Sequence, residues 1–338
     1  MADHFRYGVM GAGLIGCYLG GLLAAPGRHV TLVGRGRIQG DIARHGLTLS
    51  HYSQAPRTVE GFVFATDAAA LASCDVVLVC VKSPATASVA KALHPVIAHN
   101  ALVVSFQNGL NNAQVLRAHL PERTVLPGLV PFNVTSPEPG RFHKGTEGAL
   151  YWRTAPGRRV LNMMAAFESA GQPVALRDPM LPVLWGKLLL NLNNALNVLH
   201  GGPLRSGLVQ REYRRTLAAM MREALAVLEA ADIAPESPTK VQPQTVPKLL
   251  SLPTPVYRVL MDRVLRIDPT ARSSMLEDLE LGRPSENAYL QGEVIALGRR
   301  LGVPVEVNRR VAAAVDAAFA AGRSPELTGR EMAQRFLA

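Results

Sequence analysis

Along the first half of the chain, short apolar runs alternate with helix-compatible stretches. Arg6–Met10 (R-Y-G-V-M) and His29–Val33 (H-V-T-L-V) read as strands. A helix-compatible run to Ala25 lies between them, closed by Pro26 and Gly27. Residues 75–81 (D-V-V-L-V-C-V) and 101–106 (A-L-V-V-S-F) are near-continuous apolar runs, as required of parallel strands covered on both faces. Beyond residue 125 the strands become shorter and turn-rich, and 148–152 (G-A-L-Y-W) reads as an antiparallel extension. From about residue 181 the period is that of long helices. The pattern predicts an α/β chain, with a doubly wound sheet over 1–180 followed by an all-α domain over 181–338.

The loop after the first strand is G-A-G-L-I-G, residues 11–16. Strand, G-x-G-x-x-G, helix and strand in that order form the fingerprint of a Rossmann-type dinucleotide site. Gly11 permits the tight turn, Gly13 lets a pyrophosphate approach the backbone, and Gly16 lets helix and strand pack closely. The first helical residues, Leu14 and Ile15 with Gly16, offer free N–H groups at the positive end of the helix dipole. The second strand ends in V-G-R-G-R, residues 33–37, where an NAD enzyme usually carries an acid for the ribose hydroxyls. Arg35 and Arg37 can instead engage a 2′-phosphate, which favours NADP (NADPH). Stacking of Arg35 on adenine is the plainer alternative. Lys82-Ser83-Pro84 and Gln107-Asn108-Gly109 follow the two buried strands. Ligands of open α/β sheets bind beyond the carboxyl ends of the strands, so topology puts Lys82 and Asn108 near the nicotinamide.

In the helical half, residues 184–196 (L-W-G-K-L-L-L-N-L-N-N-A-L) have leucines on most sides and should be largely buried. At 100° per residue Lys187, Asn191 and Asn194 fall within an arc of about 60°. Buried polar groups need partners, so the stripe reads as a site wall or as a hydrogen-bond network between helices. Further on, Ser274 and Glu277 have capping-box spacing. A helix N-terminus also receives carboxylates, so capping and substrate binding are compatible at Ser274. Gly282-Arg283-Pro284-Ser285-Glu286 opens another helix to about Leu301, closed by Gly302; there Glu286 in the first turn is equally explained as a complement to the dipole.

Composition narrows the function classes. A length of 338 residues suits two domains, and 48% hydrophobic with 18% charged residues is a globular balance. No apolar stretch approaches the ~18 residues of a membrane span, and the opening M-A-D-H-F-R lacks a signal peptide's apolar core, so a cytoplasmic protein is expected. Net charge is +10, but the basic residues are scattered and aromatics are only 5%, which argues against nucleic acid and for an anionic cofactor and substrate. Cys17, Cys74 and Cys80 lack metal-ligand spacing and read as apolar fillers, and no metal is expected.

Taken together, these residues resemble the ketopantoate reductase (2-dehydropantoate 2-reductase) family over nearly the whole chain. The markers are G-x-G-x-x-G, V-K-S, Q-N-G, W-G-K-L-L-L-N, S-S-M-L-x-D and S-E-x-x-Y-x-x-G. The resemblance implies NADPH-dependent reduction of 2-dehydropantoate to (R)-pantoate, on the route to pantothenate and coenzyme A. It makes Lys187 the general acid, with Asn191 positioning the substrate, Glu286 hydrogen-bonding it and Ser274 holding its carboxylate. Asn108 and Lys82 stand where cofactor and substrate meet. The family's second helix asparagine follows the first by four residues, where this chain has Ala195; Asn194 takes the role only if the helix is one residue out of register. S-E-N-A-Y-L-Q-G replaces T-E-I-D-Y-I-N-G, losing an acid at Ala288, and the stretch 235–268 is longer than in compact members. The alternatives are another small 2-oxo acid or an imine as substrate, or a catalytically silent NADPH-binding regulator. A homodimer is left open.

Overall fold

The computed structural model describes residues 5–25, 27–51, 54–239, 241–260 and 271–338. Met1–His4, the closing Pro26 and residues 240 and 261–268 of the long stretch lie outside the described residues. The chain divides into two compact units, Met1–Met180 and Leu181–Ala338.

The first unit opens with β1 (Arg6–Met10), α1 (Leu14–Leu23), β2 (His29–Val33) and α2 (Gly36–His45). Then come β3 (Leu47–His51), β4 (Gln54–Val59), β5 (Phe62–Ala65), β6 (Val76–Val79), α3 (Thr86–Leu93), β7 (Leu102–Ser105) and α4 (Asn112–His119). It closes with β8 (Thr124–Leu129), β9 (Val134–Thr135), β10 (Arg141–Lys144), β11 (Leu150–Arg153), α5 (Arg158–Ser169) and β12 (Val174–Arg177). The main sheet has the order β12-β11-β8-β7-β6-β1-β2-β5. Strands β5 through β8 run parallel, and the expected antiparallel extension is β11 on β8. Val76–Val79 and Leu102–Ser105 are buried at every position, as central strands must be. Strand order reverses between β1 and β6, which makes their carboxyl ends the switch point where such sheets bind ligands.

A second sheet, β4-β3-β10-β9, is absent from the sequence reading. It pairs β3 in parallel with β10, roughly ninety residues downstream, and α1 packs against it. This explains the composition of α1 (L-I-G-C-Y-L-G-G-L-L), buried from Gly16 to Leu23. A helix apolar all round needs cover on both sides. A Cβ at Gly20 would lie 2.3 Å from Leu32 of β2, and one at Gly21 2.9 Å from Leu49 of β3. Phe106, Trp152 and Phe167, with centroids 6.1–6.5 Å apart, pin β11 and α5 to the sheet, each pair worth about 0.5–1.5 kcal/mol beyond burial.

The second unit is helical, as the pattern predicts. Its elements are α6 (Leu181–Asn191), α7 (Asn193–His200), α8 (Leu204–Leu208), α9 (Arg211–Ala230), α10 (Val246–Leu250), α11 (Thr254–Leu260), α12 (Ser274–Glu280), α13 (Gln291–Leu301), α14 (Glu306–Ala321) and α15 (Gly329–Phe336). Helices α10, α13, α14 and α15 pack on α9, while α12 and α14 cover α7. Arg214 of α9 is fully buried and donates to the carbonyls of Leu208, Val209, Leu250 and Leu252 at the ends of α8 and α10. Its guanidinium lies 4.3 Å from the Tyr257 ring centroid. Carbonyls at helix C-termini carry the partial negative charge that offsets this buried cation.

Two helix boundaries differ from expectation. The single predicted helix 184–196 is two, dividing at Leu192. There the fully buried Gln291 donates through Nε2 to the Leu192 carbonyl at 3.3 Å, while Leu192 keeps helical angles and its amide still donates to Leu188. The helix expected to open at Gly282–Glu286 begins instead at Gln291, after a single 3-10 turn at Asn287–Tyr289.

Candidate active site

In the first unit the glycine loop is built as its spacing demands. Gly11 has φ +101°, and a Cβ there would lie 2.7 Å from the Val81 amide. The amides of Gly11 and Ala12 both donate to the Val33 carbonyl, at 2.9 and 2.8 Å, tying the loop to β2. A Cβ at Gly16 would lie 2.2 Å from the Gly11 carbonyl oxygen, whereas one at Gly13 would meet nothing within 4 Å. The N-terminus of α1 has no side-chain cap and no acid in its first turn. Its amides at Leu14, Ile15 and Gly16 therefore face space that an anion can fill, and the residues fit a dinucleotide's pyrophosphate.

At the end of β2, Gly34 has no room for a side chain: its Cβ would lie 2.9 Å from Ala12 and Phe64. Arg35 is exposed at the N-cap of α2 and has no ion-pair partner among the described residues. Arg37 is bound to Asp41 at 3.2 Å. Of the two arginines, Arg35 is thus the one without an ion pair among the described residues. Lys82 sits at the start of a 3-10 turn after β6, and Asn108 follows β7; both are half-buried. All the predicted cofactor residues lie at carboxyl ends of β1, β2, β6 and β7. Burial raises the thiols of Cys74 and Cys80, to about 11 and about 12, and that of Cys17 further, so none is a ready nucleophile.

In the second unit, Lys187 and Asn191 stand four residues apart on α6, on one face. Desolvation pushes the Lys187 ammonium down to about 8. The backbone of Glu236 contributes cover: its amide donates to Pro182 at 3.0 Å, and a Cβ on Gly186 would lie 1.9 Å from its carbonyl oxygen. The front of the long 235–268 stretch therefore lies directly on α6 beside the lysine. Asn191 is 9% exposed, and its amide is not among the buried polar atoms left without a partner. Asn194 is half-buried just beyond Leu192, which keeps helical backbone angles (φ −57°, ψ −27°). Its neighbour Asn193 is taken structurally, accepting from the Tyr213 hydroxyl at 2.8 Å.

Ser274 is the first residue of α12, and the cap is Ser273, whose Oγ accepts from the Leu276 amide. The capping-box reading of Ser274 is corrected accordingly. The reason is Asn197, fully buried, which the sequence reading passed over. Its Oδ1 accepts from the Ser273 amide at 2.9 Å while its Nδ2 donates to the Gly202 carbonyl at 2.8 Å. Ser273, 4% exposed, must pair its hydroxyl internally, which leaves the half-buried Ser274 side chain uncommitted to capping. Glu286 is 3% exposed and leads into the turn before α13. Asn197 thus ties the start of α12 to α7, and Gln291 at the start of α13 reaches the Leu192 carbonyl between α6 and α7. Replacing Ser273 with alanine should lower stability by about 0.5–2 kcal/mol, read from chemical denaturation.

The ketopantoate reductase PanE/ApbA family model matches residues 7–157, and the model of that family's C-terminal region matches 180–318. The 2-dehydropantoate 2-reductase of Halobacterium salinarum is 31% identical over 315 residues, covering 91% of this chain and 96% of its own. The chain belongs to the ketopantoate reductase family. It is accordingly an oxidoreductase of the class acting on CH–OH groups. The crystal structure of a PanE/ApbA family ketopantoate reductase from Ralstonia eutropha JMP134 is similar, with TM-score 0.78 and 32% identity over 94% of this chain and 99% of that one. So is the 2-dehydropantoate 2-reductase of Methylococcus capsulatus, with TM-score 0.73 and 26% identity over 94% and 98%. Among the described residues, no group of three His, Cys, Asp or Glu could hold a metal ion, and no helix is long and apolar enough to cross a membrane.

Proposed function

We propose that this reductase converts 2-dehydropantoate to (R)-pantoate, on the route to pantothenate and coenzyme A. A nicotinamide dinucleotide is the cofactor, and NADPH is the form we assign. When bound, the cofactor supplies the hydride to C2 of the oxo acid. Gly11, Gly13, Leu14, Ile15 and Gly16 would hold its pyrophosphate and Arg35 its 2′-phosphate, while Lys82 and Asn108 attend the nicotinamide end.

The observation that carries the substrate half is Asn191. Its amide is not among the buried polar atoms left without a partner, so it reaches solvent and is open to a ligand's hydrogen bonds. It stands one helical turn from a lysine whose ammonium desolvation has made a stronger acid. Charge develops on the carbonyl oxygen as C2 is reduced, so Lys187 both stabilises that charge and delivers the proton. Asn191, with Asn194 as a second amide, orients the oxo acid without adding charge. Glu286 hydrogen-bonds the substrate, and Ser274 with the first amides of α12 receives its carboxylate. NADPH oxidation measured against a panel of 2-oxo acids tests the assignment. A preference for another oxo acid would overturn the substrate, and tight NADPH binding with no turnover of any would overturn the reaction.

Two residue assignments have separate tests. Arg35→Asp should weaken NADPH by about 1.5–3 kcal/mol, roughly 10- to 150-fold, while NADH binding changes little. Equal losses for both dinucleotides would remove Arg35 from the 2′-phosphate. Ser274→Ala should raise KM for the oxo acid several-fold with kcat and melting temperature maintained. An unchanged KM would exclude Ser274 as the carboxylate receptor.

A further inference from the structure

At the carboxyl ends of β6 and β7, a set of polar side chains is buried where apolar ones would be expected. Ser83 and Thr86 are 2% exposed, Ser105 3%, Asn112 5% and Gln107 7%. They form one connected network. The Ser105 hydroxyl donates to Gln107 Oε1 at 3.0 Å, and Gln107 Nε2 donates to the Thr86 hydroxyl at 2.7 Å. The Thr86 proton has two acceptors in reach, Asn112 Oδ1 and the Ser83 carbonyl, each at 2.8 Å. The Asn112 amide group donates to Ser83 Oγ at 3.2 Å and to the Asn108 carbonyl at 2.5 Å. Ser83 Oγ donates to that same carbonyl at 2.8 Å.

Two features separate this network from ordinary loop hydrogen bonding. None of its side-chain atoms is left buried without a partner. Such a complete network specifies one conformation rather than adding much stability, since apolar packing of the same volume would serve stability as well. Its bonds also converge. Two side chains from different loops, Ser83 and Asn112, meet on the backbone oxygen of Asn108. Ser83 is the residue after Lys82, and Gly109 after Asn108 turns with φ +93°. The network therefore locks the peptide that bears the Asn108 side chain and ties it to the loop bearing Lys82.

We infer that Asn112, acting with Ser83 and Thr86, is a positioning residue for the reduction, holding Asn108 and Lys82 in the conformation that receives cofactor and oxo acid. This rests on the role proposed above for Asn108. Small displacements of a reacting constellation cost up to about a hundredfold in rate, so the effect should be visible in kinetics.

The test is a double-mutant cycle on the full chain with NADPH and 2-dehydropantoate. Asn112→Asp keeps the side-chain shape and the acceptor for Thr86 but loses both donated bonds. It should lower kcat/KM about ten- to hundredfold. Asn108→Ala should lower kcat/KM as well, and in that background Asn112→Asp should cost less than about threefold, because nothing remains to be positioned. Ser83→Ala, which leaves no charge buried, should repeat the pattern at smaller size and serves if the aspartate variant folds poorly. Equal losses with and without the Asn108 side chain would overturn the positioning role while leaving Asn108 in the site. No loss from Asn108→Ala alone would overturn the role of Asn108 and the inference with it.

Discussion

Replacing Lys187 with methionine should lower turnover by at least roughly 100-fold and leave NADPH affinity within about twofold. The substitution removes the proton donor and the positive charge where the alkoxide forms, and general acid catalysis and electrostatic stabilisation are each worth about that factor or more. Methionine keeps the apolar stem, so packing on α6 is maintained. The pH dependence supplies a second reading. Burial has pushed the lysine down to about 8, and the acid must carry its proton to act. Reduction should therefore slow about tenfold per unit as pH rises above about 8, and the methionine variant should lack that inflection. Stability has the opposite sign. Between about 8 and the ordinary lysine value the unfolded chain binds more protons than the folded one, so the wild-type protein gains stability as pH rises through this window. Below it the charged, desolvated lysine costs on the order of 3 kcal/mol at most. Steady-state kinetics, NADPH fluorescence titration and melting curves on one preparation check all of this. Near-normal turnover would remove Lys187 from the mechanism.

The glycines of one loop should fail in different ways. Gly13→Ala should weaken NADPH by about 1–3 kcal/mol, roughly 5- to 150-fold, with the melting temperature held. The added Cβ meets nothing in the protein within 4 Å, and the backbone at Gly13 is extended with a negative φ of −97°. Its methyl occupies only the space proposed for the pyrophosphate. Gly16→Ala should instead lose binding and stability together, because its Cβ would lie 2.2 Å from the Gly11 carbonyl oxygen and the backbone must part. Overpacking of that kind costs about 1–3 kcal/mol, a fall of several degrees in Tm. Unchanged NADPH affinity in Gly13→Ala would exclude the loop as the cofactor's seat.

What the sequence by itself determined lies within short range. The parallel sheet follows from the apolar runs at 75–81 and 101–106, since only strands covered on both faces are apolar at consecutive positions. The glycine loop is legible from its spacings of two and three residues, and at Gly16 the steric demand is local, set by the Gly11 carbonyl, although at Gly11 it is set by Val81. Lys187 and Asn191 share a face because four residues make about one helical turn. Tertiary structure decided whatever depends on a distant partner. Strand β3 has its sheet because β10 lies beside it, and no local period announces a pairing across that separation. At Leu192, where the helix expected over 184–196 divides into α6 and α7, the carbonyl accepts from Gln291, 99 residues on. The cap of α12 falls on Ser273 rather than Ser274 because Asn197, 76 residues earlier, claims the Ser273 amide and buries that residue. The depressed Lys187 ammonium is of the same kind. Its helix pattern implies burial, but the degree of desolvation depends on chain from elsewhere, including the Glu236 backbone that lies against Gly186. A backbone carbonyl or an ammonium carries no mark in the sequence of which remote group will satisfy it or shut it from water, so these features exist only once the chain has folded.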